Sequence, residues 1–388
     1  MKKILLLCMI FCSAANAEFD HRADVLLFIN HRELNQDGLS EYDAVTDAGF
    51  GLGDDLSFTY RALRLEARPE LRGEYGYGVG LPVTDPAFST IRSPDRALDL
   101  GFEVGSGDKY ELYFEFEKLF FSIQTNSLEI AAGRRPIGLG VLKYLPVWNK
   151  FTVLLPTHTG PPFIYNPDNA IIRYQFRSMA LSAMDIEGAH PEDAVRLGQI
   201  NFYGDSLELQ SLFGEWWQYT VAGLAASTDL AGLTLRAETL WFGLDPYDEQ
   251  YGFQGGYGLE YASSENVSWL IEGLHLDRGV DHPDFYKLQA PSRFSPLRAE
   301  DYLLGLMEYR FLPEWKWLTG PFVNLLDGSL LYLNDLRWSV TDDSEFTAQI
   351  KTPIGEERTE FSSKTFVFPD GSYLGYPYIF NLILRTYF

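Results

Sequence analysis

The sequence predicts an all-β chain: a transmembrane antiparallel up-and-down β-barrel of about 18 strands, within a range of 16–20. Three observations predict it. The chain opens with an export leader. The rest alternates apolar and polar residues with a period of two and holds no helix-length apolar run. The turn signals are tight on one side of the strand set and widely spaced on the other.

The leader sets the compartment. Lys2 and Lys3 precede an apolar run from Ile4 to Cys12, and Ala15-Asn16-Ala17 supplies an A-x-A cleavage pattern. This is the pattern of a secretory signal peptide over 1–17, with the mature chain starting near Glu18. The run falls short of the ~20 apolar residues of a membrane-spanning helix. Leu7-Cys8 and Phe11-Cys12 lack the small residues of a lipoprotein site. Both cysteines of the chain, Cys8 and Cys12, lie in the leader. The mature chain is thus expected to have no disulfide, no thiolate metal site and no covalently attached haem. Removing 17 of the 388 residues leaves 371, and no linker, low-complexity tract or composition break divides them. A single barrel over 18–388 is expected. The net charge of −23 becomes −25 once Lys2 and Lys3 are lost, which argues against nucleic-acid binding.

The strands come next. Aromatic residues make up 15% of the chain and sit in short alternating segments. Tyr110, Leu112, Phe114 and Phe116 face one way; Glu111, Tyr113, Glu115 and Glu117 face the other. Ala170, Ile172, Tyr174 and Phe176 alternate with Ile171, Arg173, Gln175 and Arg177. Leu233, Leu235, Ala237 and Trp241 alternate with Thr234, Arg236 and Glu238. Leu303, Met307, Tyr309 and Phe311 alternate with Glu308 and Arg310. Such segments are strands with one apolar and one polar face.

A soluble sandwich alternates in the same way, so turn spacing decides. Tight turns are expected at Asn126-Ser127, Gly204-Asp205, Asp229 to Gly232, Ser263 to Asn266, Pro313-Glu314 and Asp342 to Ser344. Longer outer loops are expected near 34–55, 82–96, 138–168, 278–300 and 353–372. That asymmetry marks an outer-membrane barrel. Strands are expected near 24–33, 56–68, 70–80 and 128–137, and thirteen more from residue 169 onward. The stretch 97–125 reads either as one long strand or as three short ones, split at Gly105 to Asp108 and at Glu117-Lys118. One strand there gives 18, an even number, as expected of a single-chain bacterial barrel.

The C-terminus is the most specific signal. Stepping back in twos from Phe388 gives Thr386, Leu384, Leu382, Phe380 and Tyr378. This resembles the C-terminal strand of Gram-negative outer-membrane proteins. The resemblance implies an assembly signal on Tyr378, Phe380, Leu382, Leu384 and Phe388, read by the barrel-assembly machinery. Leu128 to Gly140, with its Gly133-Arg134-Arg135, resembles a strand of porin and alginate-export-type barrels, and identifies no substrate. No Gly-Lys-Ser/Thr phosphate loop is present.

Closure follows from physics, since backbone polar groups in lipid must all be paired. One face of each strand then meets lipid and the other the lumen. A charge on the lipid side near the midplane costs ~2–4 kcal/mol. The pore-lining candidates are therefore Arg64, Arg68, Arg72, Glu111, Glu115, Glu129, Arg135, Arg173, Arg236, Glu238, Glu308, Arg310, Arg337 and Arg385. The same phasing turns Glu66, Glu74, Asp99, Glu103, Arg177, Glu208, Glu260, Glu272 and Asp335 inward. Two arrangements fit these residues: a charged eyelet that selects solutes, or a network of Arg–Glu pairs that stiffens the wall. The loop 138–168, rich in proline and carrying Trp148, Phe151, Phe163 and Tyr165, is either an inward constriction or a lid over the mouth. Trp216-Trp217, Trp315 and Trp317 read as interfacial girdle residues.

The expected function is an outer-membrane porin-like channel for passive passage of small hydrophilic solutes. Outer-membrane lipid, lipopolysaccharide and the assembly machinery are the expected partners. The alternative is a non-conducting barrel for surface adhesion or scaffolding. No cofactor, metal or catalytic role is expected. None of His21, His31, His158, His190, His275 and His282 lies in a His-Glu-x-x-His or Gly-x-Ser-x-Gly context.

Overall fold

The computed structural model describes residues 17–33, 36–37, 44–76, 97–149, 166–188, 191–243, 252–282, 297–367 and 373–388. The leader, the expected loop near 82–96, and Phe151, His158, Phe163 and Tyr165 lie outside them.

Eighteen antiparallel strands close into one barrel. They are β1 (Ala17–Glu33), β2 (Ala44–Tyr60), β3 (Leu63–Gly76), β4 (Tyr110–Gln124), β5 (Leu128–Arg134) and β6 (Asp168–Phe176). Next come β7 (Met179–Glu187), β8 (Val195–Tyr203), β9 (Leu207–Trp216), β10 (Tyr219–Leu230), β11 (Leu233–Phe242) and β12 (Gly252–Ser264). The last six are β13 (Val267–Leu276), β14 (Asp301–Leu312), β15 (Trp315–Asn324), β16 (Leu330–Thr341), β17 (Ser344–Ile354) and β18 (Tyr378–Tyr387). Each pairs with its sequence neighbours, and β18 closes on β1 from Asp24↔Tyr387 to Glu33↔Tyr378. All eight connections at one end, such as Arg61-Ala62, Arg177-Ser178 and Ala231-Gly232, are two or three residues long. Arg61, Arg177, Ala231 and Gly232 have positive φ, as the tightest hairpin turns demand.

The alternation obeys the pleat. On β1, Leu27 and Ile29 are exposed outward while Asp24, Leu26, Phe28, Asn30 and Arg32 are buried inward. On β18, Tyr378, Phe380, Leu382, Leu384 and Thr386 share the outward face; Ile379, Asn381, Ile383 and Arg385 share the inward one, opposite Arg32, Asn30, Phe28 and Leu26. At the short-turn end, Phe311, Trp315 and Trp338 form an outward aromatic cluster, with the two indoles stacked at 5.1 Å.

Four expected boundaries move. The first strand starts at Ala17 rather than 24, and 44–55 is strand rather than loop. The turn expected at Pro69 falls at Arg61-Ala62, and Pro69 lies inside β3. Proline has no N–H to give a ladder, and the sheet accepts it at a bulge: the register slips between Arg68 and Pro69, opposite Glu117. So Glu117-Lys118 is a bulge and not a break. The stretch 97–125 is one barrel strand plus a short strand, Gly101–Gly107, that pairs with the upper part of β4. The strand expected to reach 137 ends at Arg134.

The seam this creates is sealed by side chains. The short strand and β5 abut the same edge of β4, covering 110–115 and 119–124 respectively. Arg134 fills the gap between them. Its Nε donates to Asp168 at 2.9 Å, and its Nη atoms donate to the carbonyls of Phe116 and Leu98 at 3.0 and 2.6 Å. Asp168 also accepts the Leu98 N–H at 2.8 Å.

Candidate functional site: the inward face and the docked segment

Two unlike walls line the barrel interior. The first runs over β1–β6 and is ionic. Arg72, 1% exposed, pairs with Glu70 and Glu117 at 2.9 Å and Glu115 at 2.5 Å. Arg68 bridges Asp24 and Asp55 at 2.5 and 2.7 Å, and Lys118 bridges Asp55 and Glu66 at 2.8 and 3.0 Å. Arg64 holds Glu66 at 2.7 Å, Arg135 holds Glu129 at 2.8 Å, and Arg32 pairs with Asp47. The two-residue spacing of Arg64, Glu66, Arg68, Glu70, Arg72 and Glu74 along β3 puts all six on one face. Neighbouring strands then bring the counter-charges within reach.

The second wall, from β6 round to β16, is largely apolar. Ile171, Met184, Val195, Leu197, Leu212, Val221, Leu240, Leu270, Leu304 and Phe322 belong to one buried cluster. What they pack against is the chain leaving β5. From Ile137 to Trp148 it turns into the barrel and buries Leu139, Leu142, Leu145, Val147 and Trp148 in that cluster. Of the two expected arrangements, the described part of the loop, 138–149, takes the inward one: it packs inside the barrel.

Two inward carboxylates hold the segment. Glu238 on β11 accepts the N–H groups of Val141, Leu142 (2.6 Å), Val147 (2.9 Å) and Trp148 (3.2 Å). Glu272 on β13 accepts those of Lys143 (2.8 Å), Tyr144 (2.9 Å) and Leu145 (2.8 Å). Both carboxylates are 0% exposed, and neither has an ion pair among the described residues. A buried charge survives only if fully hydrogen-bonded, and here seven backbone donors do that. Trp148 adds a bond from its indole N–H to the Thr239 carbonyl at 2.8 Å. Gly140 is required where it stands: its φ is +78° and a Cβ there would strike the Glu238 carboxylate.

The tip of the segment meets the wall below it. Lys143 pairs with Glu260 at 2.7 Å, and Arg236 meets the same carboxylate at 2.7 Å. Lys143, Tyr144, Glu260, Ser268, Leu270 and Glu308 border a cavity of about 340 Å³, including its open side. Burial raises the Tyr144 phenol above its ordinary range.

Strand register gives the position of each sequence-derived candidate. Arg64, Arg68, Arg72, Glu111, Glu115, Glu129, Arg173, Arg236, Glu238, Glu308, Arg310, Arg337 and Arg385 occupy inward positions of their strands. Arg135 follows β5 and reaches Glu129 on the same side. They are not one cluster. Arg68, Arg72 and Glu115 join the ionic wall, Arg236 and Glu308 flank the segment tip, and Arg310 lies exposed near the short-turn end. Arg177 is not inward: it occupies a turn, with its guanidinium over the Phe176 ring at 5.7 Å. Trp216 is not a girdle residue either; it is fully buried in the inner apolar cluster. Arg134 escapes a period-two count of inward residues because it pairs with Asp168 on the alternate face of β5, where the chain at Leu98 covers it. Lys118 escapes because it lies one residue past the bulge, which shifts the phase.

Enzyme-like groupings are sparse. His275 lies on the outward side of β13 and bonds Asp301 at 2.8 Å beside the Phe253 ring; no serine bonds it among the described residues. No group of three or more His, Cys, Asp or Glu side chains suited to a metal occurs among the described residues.

No family model and no curated protein sequence matches the chain. Solved structures match its fold. OccK7 (OpdD) of Pseudomonas aeruginosa aligns over 97% of this chain and 99% of its own, at 11% identity and a TM-score of 0.54. OccAB2 of Acinetobacter baumannii aligns over 96% and 98%, at 9% identity and 0.57. A variant of OccD1 (OprD) aligns over 97% and 98%, at 12% identity and 0.56. The chain shares with these bacterial outer-membrane porins one architecture, the closed 18-stranded antiparallel barrel.

Proposed function

We propose that this chain is a porin-like channel of the bacterial outer membrane, passing small hydrophilic solutes between its ionic wall and its docked segment. The observation that carries the proposal is the docking itself. Seven backbone donors on two buried glutamates hold Val141 to Trp148 inside the barrel. A segment held so firmly narrows a passage reproducibly and leaves charged groups along the remaining wall. The pore-lining candidates act there, in two ways. Arg68, Arg72 and Glu115 stiffen the wall, because their charges are spent on one another. Lys143, Arg173 and Arg337, with more exposed side chains, set the field that solutes meet.

Location follows from the outward face. Its apolar stripe suits hydrocarbon, and Tyr378 to Phe388 supply the signal for the assembly machinery. Lipopolysaccharide and phospholipid would surround the barrel, and no cofactor or catalytic step enters this reading. Planar-bilayer recording of the refolded protein tests it. Discrete conductance steps are expected. A folded barrel that produces none would instead favour an adhesion or scaffold role.

A further inference from the structure

A second set of inward contacts lies at the long-loop end, apart from the docked segment. The chain after β17 bends into the mouth. Phe361, 1% exposed, packs on Phe322 and Tyr302 of the inner wall, at 5.4 and 6.4 Å, and on Tyr376 at 5.7 Å. Beside it the Glu360 carboxylate is buried in a socket made by three other elements. The Tyr302 hydroxyl of β14 donates to it at 2.6 Å and the Asn324 amide of β15 at 2.8 Å. The Arg298 N–H, from the connection before β14, donates at 3.1 Å. The Glu360 N–H in turn donates to Asp327 at 2.8 Å, and the Phe361 N–H to the Ser329 hydroxyl at 3.0 Å. Through its carboxylate and its N–H together, Glu360 thus ties its own connection to the one before β14 and the one after β15.

We infer that Gly355–Thr365 is a pH-operated latch on the mouth, with Glu360 as its bolt: seated in acid, released as the medium turns alkaline. The inference concerns regulation of the passage proposed above and rests on that reading.

The groups that face Glu360 decide the direction. Burial disfavours the charged carboxylate most, while Tyr302, the Arg298 N–H and the Arg298 guanidinium charge favour it. Asp327 opposes it by like charge. The outcome is a carboxyl pushed up to about 7. A group whose folded pKa lies above its unfolded one adds stability that is complete in acid and fades as pH rises through the folded value. Here the fading spans the interval from the ordinary carboxyl range to about 7. Above it, a charged Glu360 sits in a socket that excludes water, next to Asp327. The other ion pair of the latch, Lys364–Glu357 at 2.9 Å, is exposed, and the Lys364 hydrogen bond holds the Glu357 carboxyl below its ordinary range.

The test uses the full barrel in liposomes, with a nitroxide on a Glu356→Cys substitution, at pH 5.5 and 8.5. The expected result is an immobilised spectrum at pH 5.5 and a mobile one at pH 8.5. Adding Glu360→Gln, which keeps the shape and removes the titration, is expected to leave it immobilised at both. A label whose mobility ignores pH, or one that responds equally with Glu360→Gln, would overturn the latch. Heat-modifiability on gels checks that each variant is folded. Bilayer conductance in parallel separates the two ideas. A mobile label without conductance steps sinks the channel and leaves the latch. Steps with a pH-blind label sink the latch and leave the channel.

Discussion

The two walls of the barrel neutralise buried carboxylates in opposite ways. On β3 and β4, Glu70, Glu115 and Glu117 face Arg72. On β11 and β13, Glu238 and Glu272 face backbone N–H groups of a segment that enters from elsewhere in the chain. Guanidinium pairing joins strand to strand and yields a stiff wall. Amide pairing joins wall to insert and yields a shaped interior. The same residue type therefore builds either a rigid barrel wall or a dock for an inserted segment, depending on what faces it.

The sharpest way to break this contrast is to remove the cation of the ionic wall. Arg72→Ala takes the nearest cation from three buried carboxylates, and breaking a buried pair costs roughly 3–5 kcal/mol. Folding yield, or the urea midpoint of the refolded barrel, should fall sharply; an unchanged midpoint would show that the network carries little stability.

On the amide-bonded side, Glu238→Ala orphans four donors, each worth ~1–3 kcal/mol when buried. The barrel is expected to stay closed, because no strand pairing depends on Glu238, while the segment loosens. Single-channel records should show larger and noisier steps. Quiet records at the original conductance would place the holding force elsewhere.

Charge changes should act more gently. Lys143→Glu puts a third carboxylate at the segment tip near Glu260 and Glu308, and should move the reversal potential in a salt gradient toward cation preference. Arg310→Glu should move it in the same direction but less, because Arg310 sits exposed near the short-turn end. An equal shift from both would mean that the tip is not the narrow point.

The fold was legible because membrane barrels obey a strict two-residue period, which charges the chain a penalty for every polar residue on the wrong side. The outward stripe Tyr378, Phe380, Leu382 and Leu384 and the inward row Arg64, Arg68 and Arg72 both follow from it. The errors sit where the period slips, at Pro69 opposite the Glu117 bulge, and where the chain covers the alternate face, at Arg134 beneath Leu98. The short turns Arg61-Ala62 and Arg177-Ser178 were hidden because arginine is no turn signal, although both take the left-handed conformation. The inward course of the loop was one of two readings the sequence allowed, but what holds Val141 to Trp148 there was not legible. Glu238 and Glu272 look like any other inward glutamates, and their partners are main-chain groups that every residue possesses.

The central claim is that the docked segment sets the width of the passage. Its most direct test replaces Leu139–Trp148 with a short Gly-Ser linker and compares single-channel conductance with that of the parent barrel. The account predicts a several-fold larger step from a barrel that still resists unfolding. An equal or smaller step from a folded barrel would contradict it.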